Sequence, residues 1–207
     1  MKACTCSRIV MPALVAGSLA VGASSLRAET SASTGAQPAP IILAQAAGNP
    51  ESPGGPNAQT AAKNADHFFA QNAALSDMVE VTASKLAQQK ASAARVKSFA
   101  DQMVKDHTQA SNRLNKIAKA KGWSLPTQID PTHSTAISNL QKQEGADFDR
   151  GYMTMMVADH ELAVKLFEKE AKDGKDPEAK AHATALLPDL KKHLQMAKSI
   201  QGEMKKK

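Results

Sequence analysis

Residues 148–167 read Phe148-Asp149-Arg150-Gly151-Tyr152-Met153-Thr154-Met155-Met156-Val157-Ala158-Asp159-His160-Glu161-Leu162-Ala163-Val164-Lys165-Leu166-Phe167. Phe148, Tyr152, Met156, His160, Ala163 and Phe167 recur every three or four positions, so they share one face of a helix. The spacing predicts a helix over Asp147–Lys172, stopped by Asp173-Gly174. One residue that titrates near neutral pH, His160, stands on this otherwise largely apolar face.

The same periodicity extends outward in both directions. A first helix is predicted over about Ala61–Gln89, with Phe68, Asn72, Leu75, Val79, Thr82 and Leu86 on one stripe. Ser92 is the candidate N-cap of a second helix, which carries Val96, Phe99, Met103, His107, Ala110, Leu114 and Ile117 and stops at Gly122. Asp130-Pro131 opens a short helix to about Lys142, an acidic cap followed by proline at the first helical position. Asp176-Pro177 opens the last long helix, bearing Ala179, Ala183, Leu186, Leu190, His193, Ala197 and Ile200, with Pro188 expected to kink it. Two long-helix pairs have short connections and are therefore antiparallel hairpins. The fold class is all-α: a ferritin-like four-helix bundle with a longer, partly helical connection between helices two and three.

Composition agrees. Aromatic residues make up 3% of the 207-residue chain, too few for an ordinary β-sandwich or barrel, whereas Ala, Lys, Gln, Met and Leu favour helix. Lys2 and Arg8 precede the apolar run Ile9–Leu19, so residues 1–28 read as a signal peptide with cleavage after Ala28. The expected location is therefore exported, in the periplasm or otherwise associated with the envelope. Residues 29–60, rich in Ala, Pro, Gly and Ser, read as a linker, leaving 61–204 as the bundle domain. Cys4 and Cys6 would leave with the signal, removing thiolate metal sites and disulfides. Losing Lys2, Arg8 and Arg27 lowers the formal charge from +6 to +3. That charge comes without a basic stripe interleaved with aromatics, which argues against nucleic acid as a partner. No transmembrane helix is expected in the mature chain, and the open partner classes are another protein or a second copy.

Candidate chemistry rests on a local repeat. Met103-Val104-Lys105-Asp106-His107 and Met156-Val157-Ala158-Asp159-His160 each set a histidine on the apolar stripe beside an aspartate. His193 occupies the stripe of the last helix, with Asp189 one turn earlier. Glu80 lies on the first helix in a seam of small residues, Ala73, Ser76, Ala83 and Ala87. Each long helix thus offers one ligand: Glu80, His107, His160 and His193. Three imidazoles and a carboxylate suit zinc, copper or iron, and Asp106, Asp159 and Asp189 are placed to orient the imidazoles. The competing reading is a buried polar network that sets helix register. Asp77 reads as a solvated acidic edge, and His67, His133 and His182 as surface or end positions. Met103, Met153, Met155 and Met156 read as packing. No catalytic nucleophile, phosphate loop or organic-cofactor motif is found.

With these residues in view, the chain resembles the bacterial ferritin-like family known as domain of unknown function 4142. The segments that carry the likeness are Val79-Glu80-Val81, Phe99 to His107, Phe148 to Tyr152, Met156 to His160 with Glu161 and Ala163-Val164, and Leu187-Pro188 ahead of His193-Leu194. The resemblance implies a ferritin-like bundle in exported or envelope proteins, with Glu80, His107, His160 and His193 at motif positions. It implies no reaction. Di-iron bundles carry a Glu-x-x-His pair on each of two helices; this chain has none, which argues against ferroxidase chemistry. The expected function is therefore metal binding linked to metal or oxidative stress rather than catalysis. The alternative is a non-enzymatic structural or interaction protein of the envelope.

Overall fold

Two Asp-Pro pairs and a left-handed glycine set helix boundaries in the computed structural model, which describes residues 58–205. The signal and nearly all of the linker expected from the sequence lie outside the described residues. The helices are α1 (Ala58–Lys90), α2 (Ala94–Lys121), α3 (Pro131–Gln141), α4 (Gly145–Asp173) and α5 (Pro177–Met204). Asp130 accepts from the Thr132 and His133 backbone N–H groups, and Asp176 from those of Glu178 and Ala179. Each aspartate thereby satisfies two of the orphan donors of a helix start. Gly122, at φ 66°, ends α2, and the Trp123 N–H reaches back to the Ala118 carbonyl at 2.9 Å, an ending that strongly favours glycine. Pro188 lies within α5, which runs on to Met204.

End-to-end contacts give the topology. Lys90 at the close of α1 reaches the Gln141 carbonyl at 2.6 Å and Glu144 at 2.5 Å, just before α4. Lys121 at the close of α2 pairs with Asp176 at 2.6 Å and Glu178 at 2.7 Å, where α5 begins. Arg95 near the start of α2 pairs with Glu203 near the end of α5. Around the bundle the order is therefore α1, α2, α5, α4, neighbours antiparallel. The segment from Gly122 through α3 returns the chain from one pole to the other. This is the predicted all-α bundle with a partly helical crossover.

The two hairpin turns are held alike, each by a buried aspartate from the other hairpin. Asp149 of α4 accepts from the Ser92 N–H at 3.0 Å, the Ser92 hydroxyl at 2.5 Å and the Ala93 N–H at 2.8 Å. Asp66 of α1 accepts from the Lys175 N–H at 2.9 Å and the Asp176 N–H at 2.8 Å. Ser92 is consequently not the N-cap of α2. That position is Ala93, which has no side-chain cap, because the partner hairpin supplies the acceptor instead.

Two apolar clusters fill the interior. One, near the α1–α2 turn, includes Phe99, Met103, Phe148, Tyr152, Met156 and Ala197. The other, near the α4–α5 turn, includes Phe69, Ala73, Leu114, Phe167, Ala183 and Leu190. The buried face of α1 differs from the expected stripe: Phe68 is 41% exposed and Phe69 is buried. The small-residue seam of Ala73, Ala83 and Ala87 faces inward instead, where close helix approach leaves no room for larger side chains.

Candidate metal centre

Between the two clusters lies a polar layer to which each long helix contributes. Glu80 and His160 are 0% exposed, His193 3% and His107 4%. Ligand atoms of His107, His160 and His193 all lie within 4.8 Å of one another. Glu80 Oε2 is 2.7 Å from His107 Nε2 and 3.7 Å from His160 Nε2. Counting residues alone leaves the pairs at unequal heights: Glu80 is ten residues before the end of α1, His107 thirteen after the start of α2. Side chains lean toward their own helix N-terminus, so Glu80 leans away from that turn and His107 toward it. The same lean brings His160 and His193 together across the second hairpin.

The opposite end of each donor is tied down. His107 Nδ1 is 2.9 Å from Asp77 Oδ1. His160 Nδ1 is 3.0 Å from the Met156 carbonyl, which can only accept, so this nitrogen carries the proton. His193 Nε2 is 3.0 Å from Asp106 Oδ2, and Glu80 Oε1 accepts from the Ser76 hydroxyl at 3.3 Å. The inward atoms are His107 Nε2, His160 Nε2, His193 Nδ1 and Glu80 Oε2. All four are buried without a hydrogen-bond partner among the described residues. The short Glu80–His107 contact is therefore a charge contact without hydrogen-bond alignment.

Buried orphan polar atoms are costly, and four at one point make an arrangement suited to a cation. The donors are three nitrogens and one carboxylate oxygen, a set that fits borderline transition metals. Their tethers match the hydrogen bonds that orient metal-binding imidazoles.

Without a cation, the charges sort unevenly. Burial alone would raise Glu80, but the positive field of His107, then of His160, holds it down at about 2. Burial opposes a charge on His107, yet Glu80 and Asp77 outweigh it and raise this histidine to about 10. Burial lowers His160 to about 4, and the gain from Glu80 does not recover it. Burial also lowers His193, aided by His107. The layer is thus a Glu80–His107–Asp77 charge chain flanked by two neutral imidazoles.

The carboxylates expected to orient imidazoles behave differently from one another. Asp106 does so, though for His193 across the α2–α5 seam and not for its neighbour His107. Asp159 is buried, with Oδ2 unpartnered, and burial followed by the charge of Glu80 raises it well above the usual range. Asp189 is exposed and has no hydrogen bond to an imidazole among the described residues. Asp77, expected on a solvated edge, is 6% exposed and is the partner of His107. Its position three residues before Glu80, on the same helix face, was the available signal. His133 and His182, expected at surface or end positions, do lie near the starts of α3 and α5 but are not at the surface, each being 7% exposed. His133 folds back onto Asp130, and His182 packs beside Phe167. The four methionines are all buried in the cluster near the α1–α2 turn, as packing residues are.

None of the described helices is long and apolar enough to cross a membrane. No curated protein matches the chain. Solved structures that share its fold include two DUF305 proteins. A DUF305 fragment from Deinococcus radiodurans is 14% identical, covers 67% of this chain and 96% of its own, and superposes with a TM-score of 0.61. A DUF305 protein from Streptomyces coelicolor is 15% identical, covers 68% and 92%, and gives 0.58. Residues 51–200 match the family described as Domain of unknown function (DUF4142), and the chain belongs to that family.

Proposed function

We propose that this protein is an exported helical bundle that binds one transition-metal ion through Glu80, His107, His160 and His193, in a role tied to metal or oxidative stress. The observation that carries the reading is the convergence of four buried, unpartnered donor atoms, one from each long helix, with the opposite end of each side chain already tethered. Export is supported by the positive n-region and short apolar run of residues 1–28. Zinc–nitrogen bonds are about 2.0–2.1 Å long. Nitrogens spread to 4.8 Å therefore draw inward by roughly 1 Å on binding, a shift within reach of imidazole rotation.

A second reading has one observation in its favour. The contacts of 2.7 Å and 2.9 Å around His107 already balance Glu80 and Asp77 without any ion. On that view the layer fixes helix register, and function lies with a surface partner.

One experiment separates them. Mature protein purified without chelators or a metal-affinity tag is analysed for metal content, then titrated with zinc, copper and iron(II) beside the His107→Ala/His160→Ala variant. About one equivalent per chain, lost in the variant, is the expected outcome. Protein that arrives metal-free and takes up none of the three ions rules out the binding reading.

A further inference from the structure

The seam between α2 and α5 opens onto His107 and His193, whereas the groove between α1 and α2 touches the layer at Asp77 alone. In the α2–α5 seam a cavity of about 70 Å³ is lined by exposed Gln109, Arg113 and Asp189 on the outside and by Asp77, His107 and His193 within. A groove of about 490 Å³ runs along the same seam on the other flank of His193. Asp106, Asp189 and His193 line both. Neither cavity is lined by Glu80 or His160.

Three carboxylates mark a path from solvent inward: Asp189 exposed, Asp106 half-buried, Asp77 buried. The inner two are spoken for by His193 and His107, whereas Asp189 has no ion pair among the described residues. At the inner end stands His193, 97% buried, its Nδ1 without a partner. Arg95 and Lys192 offset the two carboxylates of the groove, whereas in the smaller cavity Asp77, Asp106 and Asp189 outnumber the cations, Arg113 among them. A cleft with an excess of one sign concentrates counter-ions and speeds their arrival.

We infer that the α2–α5 seam is the port through which a divalent cation reaches the centre, with Asp189 the outer capture group and the Asp106–His193 pair the inner gate. This rests on the metal reading above. Asp189 acts on passage and not on the bound ion, so its loss slows arrival and departure together.

The test is stopped-flow uptake of Zn²⁺ or Co²⁺ by the full mature protein and by Asp189→Asn and Asp189→Lys, with Lys85→Glu as a control beside the α1–α2 groove. Uptake is expected to slow severalfold in Asp189→Asn and on the order of tenfold in Asp189→Lys, with stoichiometry and Kd within twofold of the parent. Raising the ionic strength should shrink the difference, because the charge is exposed. Lys85→Glu should leave the rate unchanged. Unchanged uptake in both Asp189 variants overturns the port, as does acceleration by Lys85→Glu. A weakened Kd with faster release overturns it too, by making Asp189 part of the binding set. A parent protein that binds no metal overturns both this inference and the reading beneath it, whereas normal parent binding with unaltered variant rates overturns the port alone.

Discussion

The Asp106-His107 pair on α2 and the Asp159-His160 pair on α4 have the same neighbours in sequence and the same place on a helix face, yet their electrostatics are opposite. His107 sits between two carboxylates and is held protonated up to about pH 10. His160 leans on a backbone carbonyl and stays neutral down to about pH 4. Asp106 reaches across to another helix and bonds His193, while Asp159 is buried with an unpartnered oxygen. The difference comes from the facing helix. α1 presents both Asp77 and Glu80 to His107, and only the far side of Glu80 Oε2, at 3.7 Å, to His160. One local pattern thus supplies an imidazolium, which must release its Nε2 proton before it can hold a metal, and a neutral imidazole to the same layer.

The largest expected break in this comparison is in metal-free stability. His107→Ala strands Glu80 and Asp77 as buried carboxylates and should cost about 3–5 kcal/mol. His160→Ala removes a neutral ring and should cost about 2 kcal/mol, mainly as a cavity. Urea unfolding of the two variants checks the order; equal losses would mean that His107 carries no charge.

The pH dependence sharpens the contrast. Folded His107 has its pKa raised from 6.5 to about 10, so its contribution is complete below pH 6.5 and is lost as pH rises through 10. Folded His160 has its pKa lowered from 6.5 to about 4, so the folded state suffers no penalty above 6.5 and loses stability as pH falls toward 4. Metal-free His107→Gln should therefore lose the alkaline decline, and His160→Gln part of the acid decline, in unfolding measured at pH 5, 7 and 9.

Smaller effects divide the two aspartates. Asp106→Asn weakens the hydrogen bond that orients His193 and should lower metal affinity by about 10–100-fold, read by competition with a chromophoric chelator. Asp159→Asn replaces a carboxyl whose charged form burial disfavours with an amide of similar shape and should change unfolding free energy by no more than about 0.5 kcal/mol. A large loss there would show that Asp159 is ionised and bonded in solution.

The residues explain how far reading the chain could go. Stripes on α2, α4 and α5 were legible because bulky apolar side chains recur at helical spacing, and every named stripe position of α4 is buried. The α1 stripe misled because its inward face is built of alanine, while Phe68, the larger hydrophobe, points outward. Ser92 looked like a cap because local pattern cannot show that Asp149, 57 residues away, will hold the turn.

What the chain determined by itself is the helical class, the Asp-Pro and glycine boundaries, and one inward donor on each long helix, since all of these depend on neighbours within a few residues. Which donors are charged, which aspartate serves which imidazole, and where the layer opens to solvent were decided only by the packing of hairpin on hairpin. The physical reason is that a pKa, a hydrogen-bond partner and a cavity depend on distances across helices, and residues 30 to 87 positions apart set those distances.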